Sequence, residues 1–135
     1  MYHWYGMRGH WWSWLGWLAV LIIALLIVYI LVKTRNDRMM TKAISISKFS
    51  ELYKSNEHLN ILDVREDFEY EKGHIPGAKS KPLSTFPVEL DKEKTYYVIC
   101  QSGGRSAGAC QMLTQKGYDV INVEGGMSAW RGEME

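Results

Sequence analysis

From Trp11 to Val32 the chain runs for 22 residues without a charged side chain, centred on Leu18-Ala19-Val20-Leu21-Ile22-Ile23-Ala24-Leu25-Leu26-Ile27-Val28. At about 1.5 Å per residue such a run is about 33 Å long as a helix, enough to cross a hydrocarbon layer of about 30 Å. Residues 11–32 are therefore expected to be a transmembrane helix that anchors the chain. A cleaved signal peptide fits less well, because its apolar part is about 7–15 residues long and ends in a small-x-small site. Here the run is longer, and Tyr29-Ile30-Leu31-Val32-Lys33 offers no such site. Nor does a soluble domain need the run as its buried helix, since the residues after it already read as a complete unit.

The flanks of the run give it a direction. After it come Lys33, Arg35, Arg38 and Lys42, and before it only Arg8 and the terminal amine. Positive side chains stay on the cytoplasmic side. The expectation is a short non-cytoplasmic N-terminus at 1–10, a basic juxtamembrane linker at 33–42, and a folded part in the cytoplasm at 43–135. Trp4, Trp11, Trp12, Trp14 and Trp17 gather at the outer end and Tyr29 near the inner one, as an interfacial aromatic belt does. His3, Met7 and His10 could ligate a metal by type. With no cysteine or carboxylate beside them they are read as surface residues, and no metal site is expected.

Charge is unevenly shared. Residues 1–42 carry five Lys or Arg against one Asp, and residues 43–135 carry eleven against fourteen Asp or Glu. The acidic part has no basic patch with interleaved aromatics, so nucleic acid is not an expected partner. Two cysteines are too few for a disulfide framework and suit a reducing compartment in which one thiol works.

Residues 43–135 alternate strand and helix signals. Ser47 is placed to cap a helix over Lys48–Ser55 with Phe49, Leu52 and Tyr53 inward. Asn60–Val64 reads as a strand, Arg65–Lys72 as a short acidic helix stopped by Gly73, and Pro76-Gly77 as the centre of a type II turn. Leu83–Leu90 is a short helix or turn broken by Pro87. Thr95-Tyr96-Tyr97-Val98-Ile99 has the aromatic and β-branched make-up of a buried strand. A helix from about Gly104 to Lys116, ended by Gly117, a strand over Tyr118–Val123 and a final short helix opened by Gly125-Gly126 complete the set, the last with Met127 and Trp130 inward. Such alternation predicts an α/β fold, an open, mostly parallel sheet with helices on both faces, preceded by one transmembrane helix. In these sheets the site lies beyond the carboxyl ends of the strands.

That is where Cys100-Gln101-Ser102-Gly103-Gly104-Arg105-Ser106 falls. Gly103 and Gly104 let the backbone curl until several N–H groups point inward, the next helix adds its positive end, and Arg105 adds a cation. Each favours the anion, so the Cys100 thiol is expected below the usual thiol range near 8.5. The competing reading is a buried structural cysteine.

The same loop, taken with Ile61-Leu62-Asp63-Val64-Arg65-Glu66, Gly73-His74-Ile75-Pro76-Gly77-Ala78 and Glu124-Gly125-Gly126-Met127-Ser128-Ala129-Trp130, resembles a single-domain rhodanese, a sulfurtransferase, over about residues 43–135. The resemblance implies that Cys100 attacks the outer sulfur of a donor such as thiosulfate or a persulfide and holds it as a persulfide. An acceptor, cyanide, a thiol or a protein cysteine, then removes it in a ping-pong cycle. It implies that backbone N–H groups of Gln101, Ser102, Gly103, Gly104, Arg105 and Ser106 hold the negative outer sulfur, that Arg105 favours anionic donors, and that no cofactor is needed. Related phosphatases keep five residues between cysteine and arginine, and here there are four, so phosphate is the weaker alternative. Gln101 and Ser102 are neutral where thiosulfate-specialised relatives often carry a basic residue. The other class of reading is a membrane-tethered binding module that uses the fold and transfers nothing.

Asp63, Arg65 and His74 are read as structural supports that brace loops rather than as catalysts. Glu69 and Glu71 are read as a solvated face. Cys110, inside the helix after the loop, is read as core rather than as a resolving thiol.

Overall fold

The computed structural model describes residues 11–55 and 58–135. His3, Trp4, Met7, Arg8 and His10 lie outside these residues, and so do the side chains of Trp11, Trp12 and Arg38. The chain divides into two compact units, one ending at Asp37 and one beginning at Arg38.

The first unit is a single helix, α1, Trp11–Met39. It is long and apolar enough to cross a membrane. From Ser13 to Asp37 its residues are exposed, the apolar side chains of Leu18 to Val32 among them. The helix outruns the uncharged segment and takes in most of the expected linker. No Gly or Pro stands between Val32 and Met39 to stop it, and Lys, Arg and Met are good helix formers.

The second unit is a five-stranded, wholly parallel sheet. Its strands are β1 (Lys42–Ser45), β2 (Asn60–Asp63), β3 (Lys79–Ser80), β4 (Thr95–Ile99) and β5 (Asp119–Glu124), in the spatial order β1-β5-β4-β2-β3. Between them run α2 (Ile46–Ser55), α3 (Asp67–Glu71), a 3₁₀ turn at Leu83–Thr85, α4 (Gly104–Gln115) and, after β5, α5 (Gly126–Ala129). Period-two alternation along the strands feeds two cores. On one face Leu62, Tyr96, Val98 and Val120 pack with Ala109, Cys110 and Leu113 of α4. On the other, Ile61, Ile99 and Val123 pack with Phe49 of α2 and with Met127 and Trp130. The expected α/β sheet with helices on both faces is what the chain forms.

Local details follow their residues, with two adjustments. The Lys48 N–H goes to Ser45 Oγ at 3.3 Å, so Ser45 rather than Ser47 opens α2, two residues earlier than expected. The acidic helix is shorter than Arg65–Lys72 because Arg65 is buried in a polar network and Glu66 caps α3. The turn at Ile75–Ala78 is of type II, with Gly77 at φ +84° and the Ala78 N–H on Ile75 O at 2.9 Å. Because all strands are parallel, their carboxyl ends share one edge. Cys100 is the first residue beyond the central strand at that edge.

Candidate active site

Alternation along β4 aims Val98 and then Cys100 at the α4 face of the sheet. The chain turns there on Gly103, whose φ of +104° costs a residue without a side chain little. The turn brings the Gly103 N–H to Cys100 Sγ at 3.0 Å and sets Ser106 Oγ at 3.3 Å from it. Cys100 is 1% exposed. Burial pushes its thiol up, but hydrogen bonds from the Ser106 hydroxyl and from the backbone of Ser106, Gly103 and Ser102 outweigh it, and the thiol lies below its usual range. Of the loop residues, Ser102, Gly103 and Ser106 are the ones whose hydrogen bonds lower the thiol.

Behind the sulfur stands a residue the sequence reading missed. Asn122 on β5 is buried, and its Oδ1 lies 2.6 Å from Ser106 Oγ. Ser106 has one hydroxyl proton and three neighbours able to accept it, Asn122 Oδ1, Gly103 O at 3.1 Å and the sulfur. Asn122 thus holds the hydroxyl that touches Cys100. A signal for it was present: an amide at a strand position in phase with Val120, on the face that packs against α4.

Arg105 points to an acceptor 36 residues back. Its Nη1 and Nη2 donate to Glu69 Oε2 and Oε1 at 2.6 and 2.7 Å, a fork-to-fork pair. Glu69 also accepts the Glu66 N–H at 3.0 Å in a capping box. The Arg105 hydrogen bonds hold the Glu69 carboxyl down at about 2. This corrects the reading of Glu69 as part of a solvated face; Glu71 is exposed as expected.

Comparison with known proteins agrees with this geometry. Residues 45–133 match the rhodanese-like domain family. The chain belongs to that family. A sulfurtransferase of Allochromatium vinosum is 34% identical over 95 residues, 67% of this chain and 89% of that protein. YtwF of Bacillus subtilis is 43% identical over 98 residues, 70% of this chain and 95% of its own. Among solved structures, a rhodanese-like domain protein from Staphylococcus aureus is 38% identical with a TM-score of 0.66, covering 70% of this chain and 97% of that one.

Within this rhodanese-like domain the three residues read as supports make their hydrogen bonds away from the sulfur. Arg65 and Asp63 are buried and paired, Nη2 to Oδ2 at 2.7 Å, and the same Nη2 reaches Gly73 O at 2.8 Å. His74 stacks on Tyr70 at 3.7 Å between ring centres, and its backbone pairs with that of Glu135 in both directions. Cys110 is buried in the α4 core. Burial, with the nearby charge of Cys100, pushes its thiol up to about 12, so it stays neutral.

The rhodanese-like loop is also held from behind. The Met127 N–H donates to Cys100 O at 2.8 Å and the Ser128 N–H to Gln101 O at 2.9 Å. This close approach needs Gly126, at φ +56°, where a Cβ would collide with Cys100 O and stand 2.8 Å from the Gln101 carbonyl. Those are backbone atoms and cannot step aside without moving the loop. Gly126→Ala is expected to cost at least about 2 kcal/mol through backbone strain and steric clash. Thermal unfolding checks it, with a fall of about 10 °C or more expected; an unchanged midpoint would show that the loop is not held this way.

Proposed function

We propose that the protein is a membrane-anchored sulfurtransferase that carries a sulfane sulfur on Cys100. The reading is carried by the convergence of the Gly103 N–H and the Ser106 hydroxyl on a buried sulfur that is held below the usual thiol range. In the first half-reaction the Cys100 thiolate attacks the outer sulfur of a donor, the donor's S–S bond breaks, and its electron pair leaves with sulfite or a thiolate. Cys100 is then a persulfide. In the second, a thiol, cyanide or protein cysteine attacks the outer sulfur and the Cys100 thiolate leaves. Backbone N–H groups across Gln101, Ser102, Gly103, Gly104, Arg105 and Ser106 stabilise the negative sulfur in both. The exchange asks for no metal or organic cofactor.

The anchor is argued from α1. Its described residues are exposed and, from Leu15 to Val32, apolar on every side, a surface that lipid satisfies. Lys33, Arg35, Arg38 and Lys42 orient it with the domain in the cytoplasm. Tethering raises the effective concentration of acceptors at the same membrane, which favours a membrane-bound protein cysteine as acceptor.

Intact mass of the full chain in detergent micelles, before and after a sulfane donor, tests the reading. A gain of one sulfur atom, reversed by a thiol, is expected. No gain with thiosulfate or with any persulfide would leave a tethered binding module as the better account.

A further inference from the structure

Among the loop residues 100–106 Arg105 is the only Lys or Arg. Both of its outer nitrogens are taken by the Glu69 carboxylate, itself fixed by the Glu66 N–H. Arg65, whose charge Glu69 also feels, is matched by Asp63 at 2.7 Å. Arg105 with Glu69 and Arg65 with Asp63 are each neutral as a pair, and Arg105 feels in addition the charges of Glu66 and of Cys100, a sulfur that must itself be an anion to react. We propose that Glu69 is a specificity-determining residue: by pairing with Arg105 it leaves the mouth of the Cys100 loop without uncompensated positive charge, and so selects persulfide donors over small dianions such as thiosulfate.

The donors belong to the sulfur-transfer reading above, and on that the inference rests; the charge at the mouth does not. Charge counting separates the donors. A Cys100 thiolate and thiosulfate bring three negative charges together, and they part as a Cys100 persulfide anion and sulfite dianion. A thiolate and a neutral persulfide R–S–SH bring one, and they part as Cys100–S–SH and R–S⁻, the proton staying on the sulfur transferred. A cation free to meet the sulfite group would lower the first barrier far more than the second. With its cation already paired, the loop offers dianions only backbone dipoles. One unit charge a few ångströms from the reacting atoms, partly screened by solvent, changes a rate by about ten-fold.

The test uses the full chain in neutral detergent micelles and begins with two alkylating agents that differ by one charge, iodoacetate and iodoacetamide. Their rate ratio at Cys100 cancels any change in thiolate fraction. Glu69→Gln is expected to raise the iodoacetate-to-iodoacetamide ratio about five- to ten-fold, and Glu69→Asp, which keeps the charge, to stay within about two-fold of wild type. An unchanged ratio in a folded Glu69→Gln protein overturns the proposal. Should that variant not fold, the wild type decides: raising salt to about 1 M, where screening acts within about 3 Å, must not slow iodoacetate relative to iodoacetamide. A slowing would reveal an unpaired cation and overturn it.

Donor loading completes the test. In Glu69→Gln, loading by thiosulfate should rise about ten-fold while loading by cysteine persulfide changes less than about two-fold. Equal changes for both donors would overturn the donor selection, even with the alkylation ratio moved. Failure of both donors to load the wild type would sink the sulfur-transfer reading and the donor claim with it, while the alkylation ratio still decides whether Glu69 sets the charge at the mouth.

Discussion

Cys100→Ser will carry no removable sulfur after exposure to thiosulfate or a persulfide, against about one per chain for wild type, a loss of at least about a thousand-fold in loading rate. The substitution keeps size and polarity. A serine Oγ can still accept the Gly103 N–H and still meet the Ser106 hydroxyl, so the loop keeps its shape and the loss reports chemistry alone. What disappears is a nucleophile whose thiolate form the folded loop favours. In wild type, the pH profile of iodoacetamide labelling should have its midpoint below the ordinary thiol range, because the folded loop favours the thiolate. Thiocyanate released by cyanide measures the first effect, and labelling kinetics measure the second. The variant should also resist labelling below about pH 10, since the remaining thiol, Cys110, is neutral there. Sulfur loading that persists in Cys100→Ser would assign the carrier to Cys110 and overturn the mechanism.

Arg65→Met is expected to lose about 3–5 kcal/mol of folding stability, a large share of what a domain of this size commands. The side chain is nearly the same length and as easily buried, so packing is not the reason. Asp63 lies wholly inside the protein and accepts two side-chain nitrogens and the backbone N–H of Arg65. Without the guanidinium its charge has no partner, and Gly73 O loses its donor as well. Urea unfolding in detergent, followed by near-ultraviolet circular dichroism, measures the loss. Asp63→Leu combined with Arg65→Met should recover most of it, because an ion pair replaced whole by apolar groups leaves no charge behind. A loss under about 1 kcal/mol in the single variant would mean that the pair contributes little.

Local chemistry was legible in the sequence and distant pairing was not. Thr95–Ile99, the glycine pair after Cys100 and the small residues of the next helix each announce their structure over a few neighbours, which is how the strand, loop and helix can be read before any contact is known. The capping box of Glu66 and Glu69 is a local signal too, but nothing in a short acidic stretch shows that an arginine 36 residues on closes over it. Asn122 and Ser106 are 16 residues apart and meet only because α4 packs back on the sheet. The continuation of α1 past Val32 is of another kind: charge marks where the apolar run ends, but Lys33 to Met39 contains no Gly or Pro to stop a helix already under way.

The two hydrogen bonds that α5 gives to the carbonyls of Cys100 and Gln101 have a consequence for the order of events on the ribosome. A peptide group whose oxygen is drawn to one side presents its N–H on the other, and the group that carries the Gln101 carbonyl carries the N–H of Ser102, one of the donors that favour the thiolate, so part of the sulfur's setting is aligned by residues made later. Asn122, which steadies Ser106, is made later as well. Domains made by a ribosome fold as units. A nascent chain that has exposed Cys100 but not yet β5 and α5 therefore bears an ordinary thiol, and the nucleophile is switched on only when the domain closes around it.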